Sequence, residues 1–474
     1  MQNTRLIQLL QSLTVYELNR FGKFLRSPYF NEDDNLVKLY TVLAPCLKEE
    51  HLVLPEQKEI WQKVYGQTKF NNLKFARLFS DLLKKGEEFL VIDKLKQNES
   101  AKQVNLVEQL TDKKLVKLYT ETAKLARKRL DETPLRDGDY YLYLFKLEAQ
   151  QNSFLELQNQ RSTEKNLLQT IEALDAFYLI HKLNYLAAIL HYKNFLSLEA
   201  EVALAAEILN HLKKKEYTGV PAIGIYYRVV LSLLEPQQEE HFKELKALLE
   251  KHYILFTKPA ARNLYAFAIN FCIRKINFGN LAYVQELFRL YQQMLKAGLM
   301  TDEHNMLSQF DFKNIVTVAL RAGDARWTES FIRDYRNNIP KANRQNAYTF
   351  NLARLYFFER KFDKVLPLLQ DVEYTDIFYQ LDSKTTLMKT YYELGDYLPL
   401  MSLKESFRIM LRRKKIISEQ NRINYMNFMR YTMKLFRVDV KENQKVASLK
   451  KQITESTNVA DKGWLIEKIQ ELGA

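Results

Sequence analysis

Apolar residues return every three or four positions along nearly the whole chain. No stretch keeps the apolar–polar alternation of period two that a half-buried strand requires. Between positions 73 and 90, Leu73, Ala76, Phe79, Leu82, Leu83, Phe89 and Leu90 recur at helical spacing, which predicts an amphipathic helix with those side chains on its buried stripe. Helix ends are equally legible. Thr14 followed by Glu17 has the spacing of a capping box, in which hydroxyl and carboxylate satisfy backbone N–H groups of the first turn. Pro221, Pro259 and Pro399 suit first-turn positions, and Gly86, Gly298 and Gly395 suit C-terminal caps.

The links between these helices are short, as at Arg136-Asp137-Gly138-Asp139 and Glu235-Pro236-Gln237. Short links favour antiparallel neighbours. The expected fold is therefore all-α, a solenoid of antiparallel helical hairpins with no significant β-sheet. Pro and Gly interrupt the helical pattern near 132–139, and the tail after Val438 is more polar. The expected organisation is an N-terminal helical domain over 1–132, a hairpin solenoid over 133–438 and capping helices over 439–474.

Composition narrows this further. The 474 residues hold 12 Gly and 10 Pro, where average usage would give about 33 and 24; turn-rich all-β folds need more. At 47% hydrophobic and 27% charged the chain can bury a large core. No run approaches the ~18 apolar residues of a membrane span, so no membrane insertion is expected. The N-terminal stretch lacks a signal-peptide pattern, and the expected location is cytoplasmic. Cys46 and Cys272 stand far apart, outside any CxxC or Cys/His grouping, which excludes a disulfide scaffold.

The C-terminal half repeats itself. Leu387, Tyr391, Gly395, Tyr397 and Leu400 form one unit; Leu352, Tyr356, Phe362 and Val365 align in the unit before it, with Arg360 in place of the Gly. Ile315, Gly323, Ile332, Tyr335 and Pro340 form an earlier copy, and Gly279 marks a degenerate one. The turns at 279, 323, 360 and 395 are separated by 44, 37 and 35 residues, against a tetratricopeptide period of about 34. This pattern resembles the tetratricopeptide-repeat superfamily, and the resemblance implies an α-solenoid whose first helices line a concave surface. The stretch FGKFLRSPYFN, residues 21–31, is similar to one in uncharacterised bacterial proteins of the Bacteroidota; that similarity carries no function.

Catalytic patterns are missing. The seven histidines fall in no HExxH, nucleophile-elbow or deaminase arrangement, and Gly219 to Gly224 lacks the spacing of a dinucleotide loop. The chain is expected to be non-catalytic, without cofactor, metal or small-molecule substrate. Charge offers two candidate surfaces instead. Aligning the repeats on their turns puts Lys313, Arg354 and Lys389 in one column, with Asn314 and Asn351 beside it, a set that would receive a carboxylate or an acidic peptide. Thr317 and Phe350 stand where a chaperone-type carboxylate clamp would need other polar groups. Much of the net charge of +14 lies between 404 and 437, in Lys404, Arg408, Arg412, Arg413, Lys414, Lys415, Arg422, Arg430, Lys434 and Arg437. Phe407, Tyr425, Phe428, Tyr431 and Phe436 are interleaved with them. If exposed, those aromatics would stack RNA bases while the cations held phosphates; at helical spacing they also fit a buried stripe, the stronger of the two readings. The expectation is a scaffold that binds an acidic or amphipathic segment of a protein or peptide partner in its concave groove. The alternative is an RNA-binding array using the 404–437 strip.

Overall fold

The computed structural model describes residues 4–47, 54–193, 201–214, 219–369, 376–439 and 442–472. Among them run 23 α-helices and no strand, with one isolated bridge between Thr301 and Leu307. None of the helices is long and apolar enough to cross a membrane. The fold is all-α, as the periodicity predicts, and comprises two compact units, Met1–Lys182 and Leu183–Ala474.

In the first unit α1 (Arg5–Gln11), α2 (Val15–Leu25) and α3 (Asp34–Cys46) pack on the long α5 (Asn72–Gln97), and α4 (Gln57–Tyr65) packs on α3. Ile7, Phe21, Leu39, Leu43, Ile60 and Leu82 are fully enclosed in the resulting core. The Thr14–Glu17 capping box forms at the start of α2, in both directions. Within the 21–31 stretch Phe21 and Phe24 are core, and Phe24 stacks on Phe30 with centroids 4.6 Å apart. Two details of α5 differ from the sequence reading. Leu73, Ala76 and Leu90 are exposed, and Phe75 and Leu78 are buried alongside the expected Phe79, Leu82 and Phe89, because the packed helices cover a face rotated from the one expected. Gly86 is not a cap: it sits mid-helix, where an added Cβ would lie 3.0 Å from Leu9 of α1. Asp93, nearly buried on the same helix, receives both Nε and Nη2 of Arg20 at 2.8 Å.

The same unit continues with α6 (Glu99–Asp112), α7 (Val116–Glu132) and α8 (Gly138–Leu157), in which α6 touches both of the others. The buried Glu148 pairs with Arg127. Asp137 caps α8 by accepting from the Tyr140 N–H at 3.1 Å. The adjoining Gly138 is required by close approach, since a Cβ there would come within 2.3 Å of His181 Nε2. The boundary between units falls inside α9 (Glu164–Lys193).

The second unit begins with α10 (Ala205–Lys214) and then repeats one motif. The hairpins are α11 (Pro221–Leu234) with α12 (Glu239–His252), α13 (Lys258–Asn277) with α14 (Tyr283–Lys296), and α15 (Gln309–Arg321) with α16 (Ala325–Asp334). They continue with α17 (Lys341–Phe358) paired to α18 (Phe362–Leu369) and α19 (Ile377–Leu394) paired to α20 (Tyr397–Arg413). First helices also meet across hairpins: α11 touches α13, α15 touches α17, and α17 touches α19, which in turn touches α21 (Glu419–Arg437). This is a solenoid arrangement of antiparallel hairpins. The chain closes with α22 (Asn443–Glu455) and α23 (Lys462–Leu472).

Four hairpin turns share one geometry. Gly279, Gly323, Arg360 and Gly395 all have positive φ, at 93°, 86°, 59° and 74°. After each, the next N–H returns to a carbonyl five residues back: Asn280 to Lys275, Asp324 to Ala319, Lys361 to Tyr356 and Asp396 to Tyr391. This left-handed C-terminal motif satisfies carbonyls that a helix end would otherwise leave open. The turn positions aligned from sequence are thus equivalent in structure, including the one where Arg replaces Gly.

A side chain in the left-handed region costs about 1–2 kcal/mol relative to Gly, and Arg360 meets Glu393 only loosely, at 3.6 Å. Arg360→Gly should therefore raise stability by about 0.5–1 kcal/mol after the entropic penalty of a new Gly. The measurement is the urea midpoint at unchanged slope, and a lower midpoint contradicts the assignment. In the first unit, Gly138→Ala drives a methyl into the His181 ring and should destabilise by about 1–3 kcal/mol. Adding His181→Ala should restore most of that loss in the same denaturation experiment.

Candidate functional site

The first-helix face of the second unit brings Lys313, Arg354 and Lys389 into one polar network. Lys313 Nζ lies 2.8 Å from Asp382 Oδ2, on α19. Arg354 Nη1 donates to Thr317 Oγ1 at 2.5 Å, one turn beyond Lys313 on α15. Lys389 Nζ donates to Asp461 Oδ2 at 2.6 Å, just before α23. The two lysine side chains are mostly covered, at 15% and 14% exposure, so they form internal ion pairs. Burial alone would raise the Asp461 carboxyl. The Lys389 ammonium, with Arg354 and Arg321 beyond it, overrides burial and holds it below the ordinary carboxylate range.

The asparagines placed beside that column part company. Asn314 is exposed. Asn351 is a correction: it is fully buried, donating its side-chain amide to the Ala347 carbonyl at 2.7 Å, because α17 is covered here by neighbouring helices on the side it occupies. Its Oδ1 is enclosed and accepts no hydrogen bond among the described residues. Phe350, next to it, is core.

The terminal helices pack onto the same region. Trp464 and Leu465 join the core with Phe428 and Met429, and Trp464 Nε1 donates to Glu393 Oε1 at 3.2 Å. Lys468 is 3% exposed and lies 2.8 Å from the largely covered Glu393 and 2.9 Å from Glu471. Burial would depress this ammonium, and the carboxylates outweigh burial and raise it. The closing helix is thus held by a buried charge cluster as well as by apolar contact.

The basic strip divides into three parts. Arg412, Arg413, Lys414 and Lys415 are exposed at the end of α20, where the negative helix terminus favours them. Arg422 pairs with Glu419 at 3.1 Å and also reaches the Ile417 carbonyl. The rest gather around a groove of about 690 Å³ between α20, α21 and α22. It is lined by Lys404, Arg408, Arg430, Lys434, Arg437 and Lys445, with Glu442 as the one lining carboxylate; the partly buried Met426 and the edges of the core residues Met429 and Met433 form its apolar side. Arg408 pairs with Glu405 at 2.7 Å and Lys445 with Glu442 at 2.6 Å. Arg430, Lys434 and Arg437, spaced along one face of α21, bond only neutral groups among the described residues: the Tyr431 hydroxyl, Gln452 Oε1, and the Tyr397 hydroxyl with the Met401 sulfur. The interleaved aromatics are core. Phe407 and Phe428 are fully enclosed and Tyr431 nearly so, while Tyr425 and Phe436 pack partly buried against the same cluster. The strip therefore presents cations beside methionines and no stacking platform.

Sequence reasoning placed the cations and missed what lies opposite them. Asp382 stands seven residues before Lys389 on α19, a helical spacing that could have flagged it. Asp461 and the α22 wall of the groove carry no local signal. Elsewhere, no group of three or more His, Cys, Asp or Glu residues among the described residues is placed to hold a metal ion. Cys46 and Cys272 are free, and burial pushes the Cys272 thiol up to about 12. No family profile, curated protein or solved structure matches this chain.

The Lys468–Glu393 pair gives a direct test of how the terminal helix is anchored. Lys468→Met leaves Glu393 with only the looser Arg360 contact and the Trp464 N–H and should destabilise by about 3 kcal/mol. The double variant Lys468→Met/Glu393→Gln should recover most of this in thermal unfolding. Equal losses in both variants would mean that packing alone holds α23.

Proposed function

We propose that this protein is a non-catalytic, tetratricopeptide-like interaction scaffold that docks an acidic amphipathic helix in the groove between α20, α21 and α22. The observation that carries this reading is the pairing of an apolar methionine side with three cations that no described carboxylate neutralises. An amphipathic helix lays an apolar face into such a groove, methionines adapt to varied partners, and acidic residues flanking that face would meet Arg430, Lys434 and Arg437. The sequence reading placed the segment in the concave column instead. There, Lys313 and Lys389 already have carboxylates of the chain itself, so an incoming acid would have to displace them. The RNA reading loses its stacking term with the aromatics buried, although the exposed cluster at 412–415 retains affinity for phosphates at low salt.

The probe is a fluorescent helical peptide with Leu at i, i+3, i+4 and i+7 and Glu on the flanks, followed by anisotropy with the full chain. Binding should weaken on the order of tenfold in the Arg430→Glu/Lys434→Glu variant. A scrambled peptide of equal charge should bind weakly. A single-stranded oligouridylate that competes fully with the peptide, with affinity falling steeply between ~50 and ~200 mM salt, overturns the proposal. So does peptide binding that is indifferent to the charge reversals.

A further inference from the structure

A second cavity, of about 730 Å³, opens in the same unit among α15, α17, α19 and the start of α23. Its charged lining is Arg321, Arg354, Arg360, Lys389 and Lys468 against Glu393, Asp461 and Glu467, an excess of two positive charges. The internal pairing shows where that excess resides. Glu393 and Glu467 are met by Lys468, with Arg360 near Glu393 at 3.6 Å, and Asp461 is met by Lys389. Asp382, the other carboxylate near Arg354, is met by Lys313. Lys468 is shared by Glu393, Glu467 and, beyond the lining, Glu471, and Arg321 and Arg354 are the lining cations with no ion pair among the described residues.

Those two differ in setting. Arg321 is exposed at the end of α15 and has no ion pair among the described residues. Arg354 is half-buried at the cavity wall; its one recorded hydrogen bond goes to the neutral Thr317 hydroxyl. Burial pushes its guanidinium below the ordinary value, Asp382 and Asp461 offset this in part, and Arg321 adds to it. A covered charge whose neighbouring acids are already paired elsewhere is costly, and a ligand that brings a further anionic group recovers part of that cost on binding. The uncharged wall is mainly apolar and aromatic, with Leu320, Phe357, Phe358 and Trp464, and carries two hydroxyls, of Thr317 and Thr386. The volume far exceeds that of an inorganic anion.

We propose that this cavity binds a phosphate monoester with a flat apolar body, its phosphoryl oxygens on Arg321 and Arg354 and its body against Phe357 and Trp464. A phosphate monoester carries a charge of about −1.5 to −2 at neutral pH and offers oxygens to both guanidiniums at once; a carboxylate brings a single charge to the pair. Arginine's planar fork suits phosphate oxygens, which it can take two at a time. This site is separate from the methionine-lined groove and stands whether or not a helix docks there.

The experiment is calorimetric titration of the full chain with phenyl phosphate, benzoate and inorganic phosphate. Phenyl phosphate should bind at least about tenfold more tightly than either of the others. Arg354→Met and Arg321→Gln should each weaken it by a similar factor. Arg354→Met should also melt no lower than the parent without ligand, because it removes a covered charge with no ion pair of its own. Should that variant not fold, Arg321→Gln carries the test, since its side chain is exposed. Unchanged affinity in Arg321→Gln, equal binding of benzoate and phenyl phosphate, or no heat from any of the three overturns the proposal.

Discussion

A helical hairpin buries one face against its own second helix and leaves another that only a neighbouring hairpin can cover. The second unit is organised by that constraint. Each pair must reverse at an angle that returns the chain to the stack, and the left-handed residue at 279, 323, 360 or 395 sets this angle through its N–H bond to the carbonyl five residues back. Where the turn is kept, the core can run on from pair to pair. Phe350, Tyr379, Phe407 and Phe428 come from four different helices and are all enclosed in one continuous cluster. Trp464, Leu465 and Ile469 of α23 join the same cluster.

That packing brings charge with it. The first helices present Lys313, Arg354 and Lys389 along one side, and like charges in a column repel unless something intervenes. Asp382 comes from within the column and Asp461 from the segment leading into α23. The α23 region therefore supplies apolar cover, one carboxylate to the column from Asp461 just before the helix, and a buried lysine that pairs with Glu393. A buried ion pair contributes little net stability against an apolar alternative, but losing one partner is expensive. Such pairs are better understood as fixing how α23 sits than as strengthening its hold.

How far the sequence reaches into this structure depends on the range of the interaction. The capping box at Thr14, the first-turn prolines and the left-handed turns are set within six residues, and all of them were legible. Arg360 is the informative case: its alignment with three glycines predicted a turn, although its type argued against one. The buried stripe of α5 was read with the right period and a rotated face, because a pattern rich in apolar residues on several sides does not reveal which side its neighbours cover. Asn351 failed for the same reason. A polar residue one position from a basic column looks available until the packing of α17 places it inside. The acids at 382 and 461 are joined to their lysines across 69 and 72 residues, and no local pattern marks such pairs.

The two cation-rich hollows of this unit show why charge counted along a sequence is a poor guide to what a surface binds. Lys313 and Lys389 belong to the column that attracted notice, yet each is held by a carboxylate of its own chain. Arg354, from the same column, is left over because its two nearest acids are already taken. Arg430, Lys434 and Arg437 are left over because α21 turns its aromatic stripe inward and its cations toward neutral groups: the Tyr431 hydroxyl, Gln452 of α22, and Tyr397 with Met401 of α20. What remains un-neutralised is decided by tertiary pairing, and the surroundings then select the partner. An aromatic wall beside two guanidiniums suits a compact dianion, whereas methionines beside spaced cations suit an extended helix with acidic flanks.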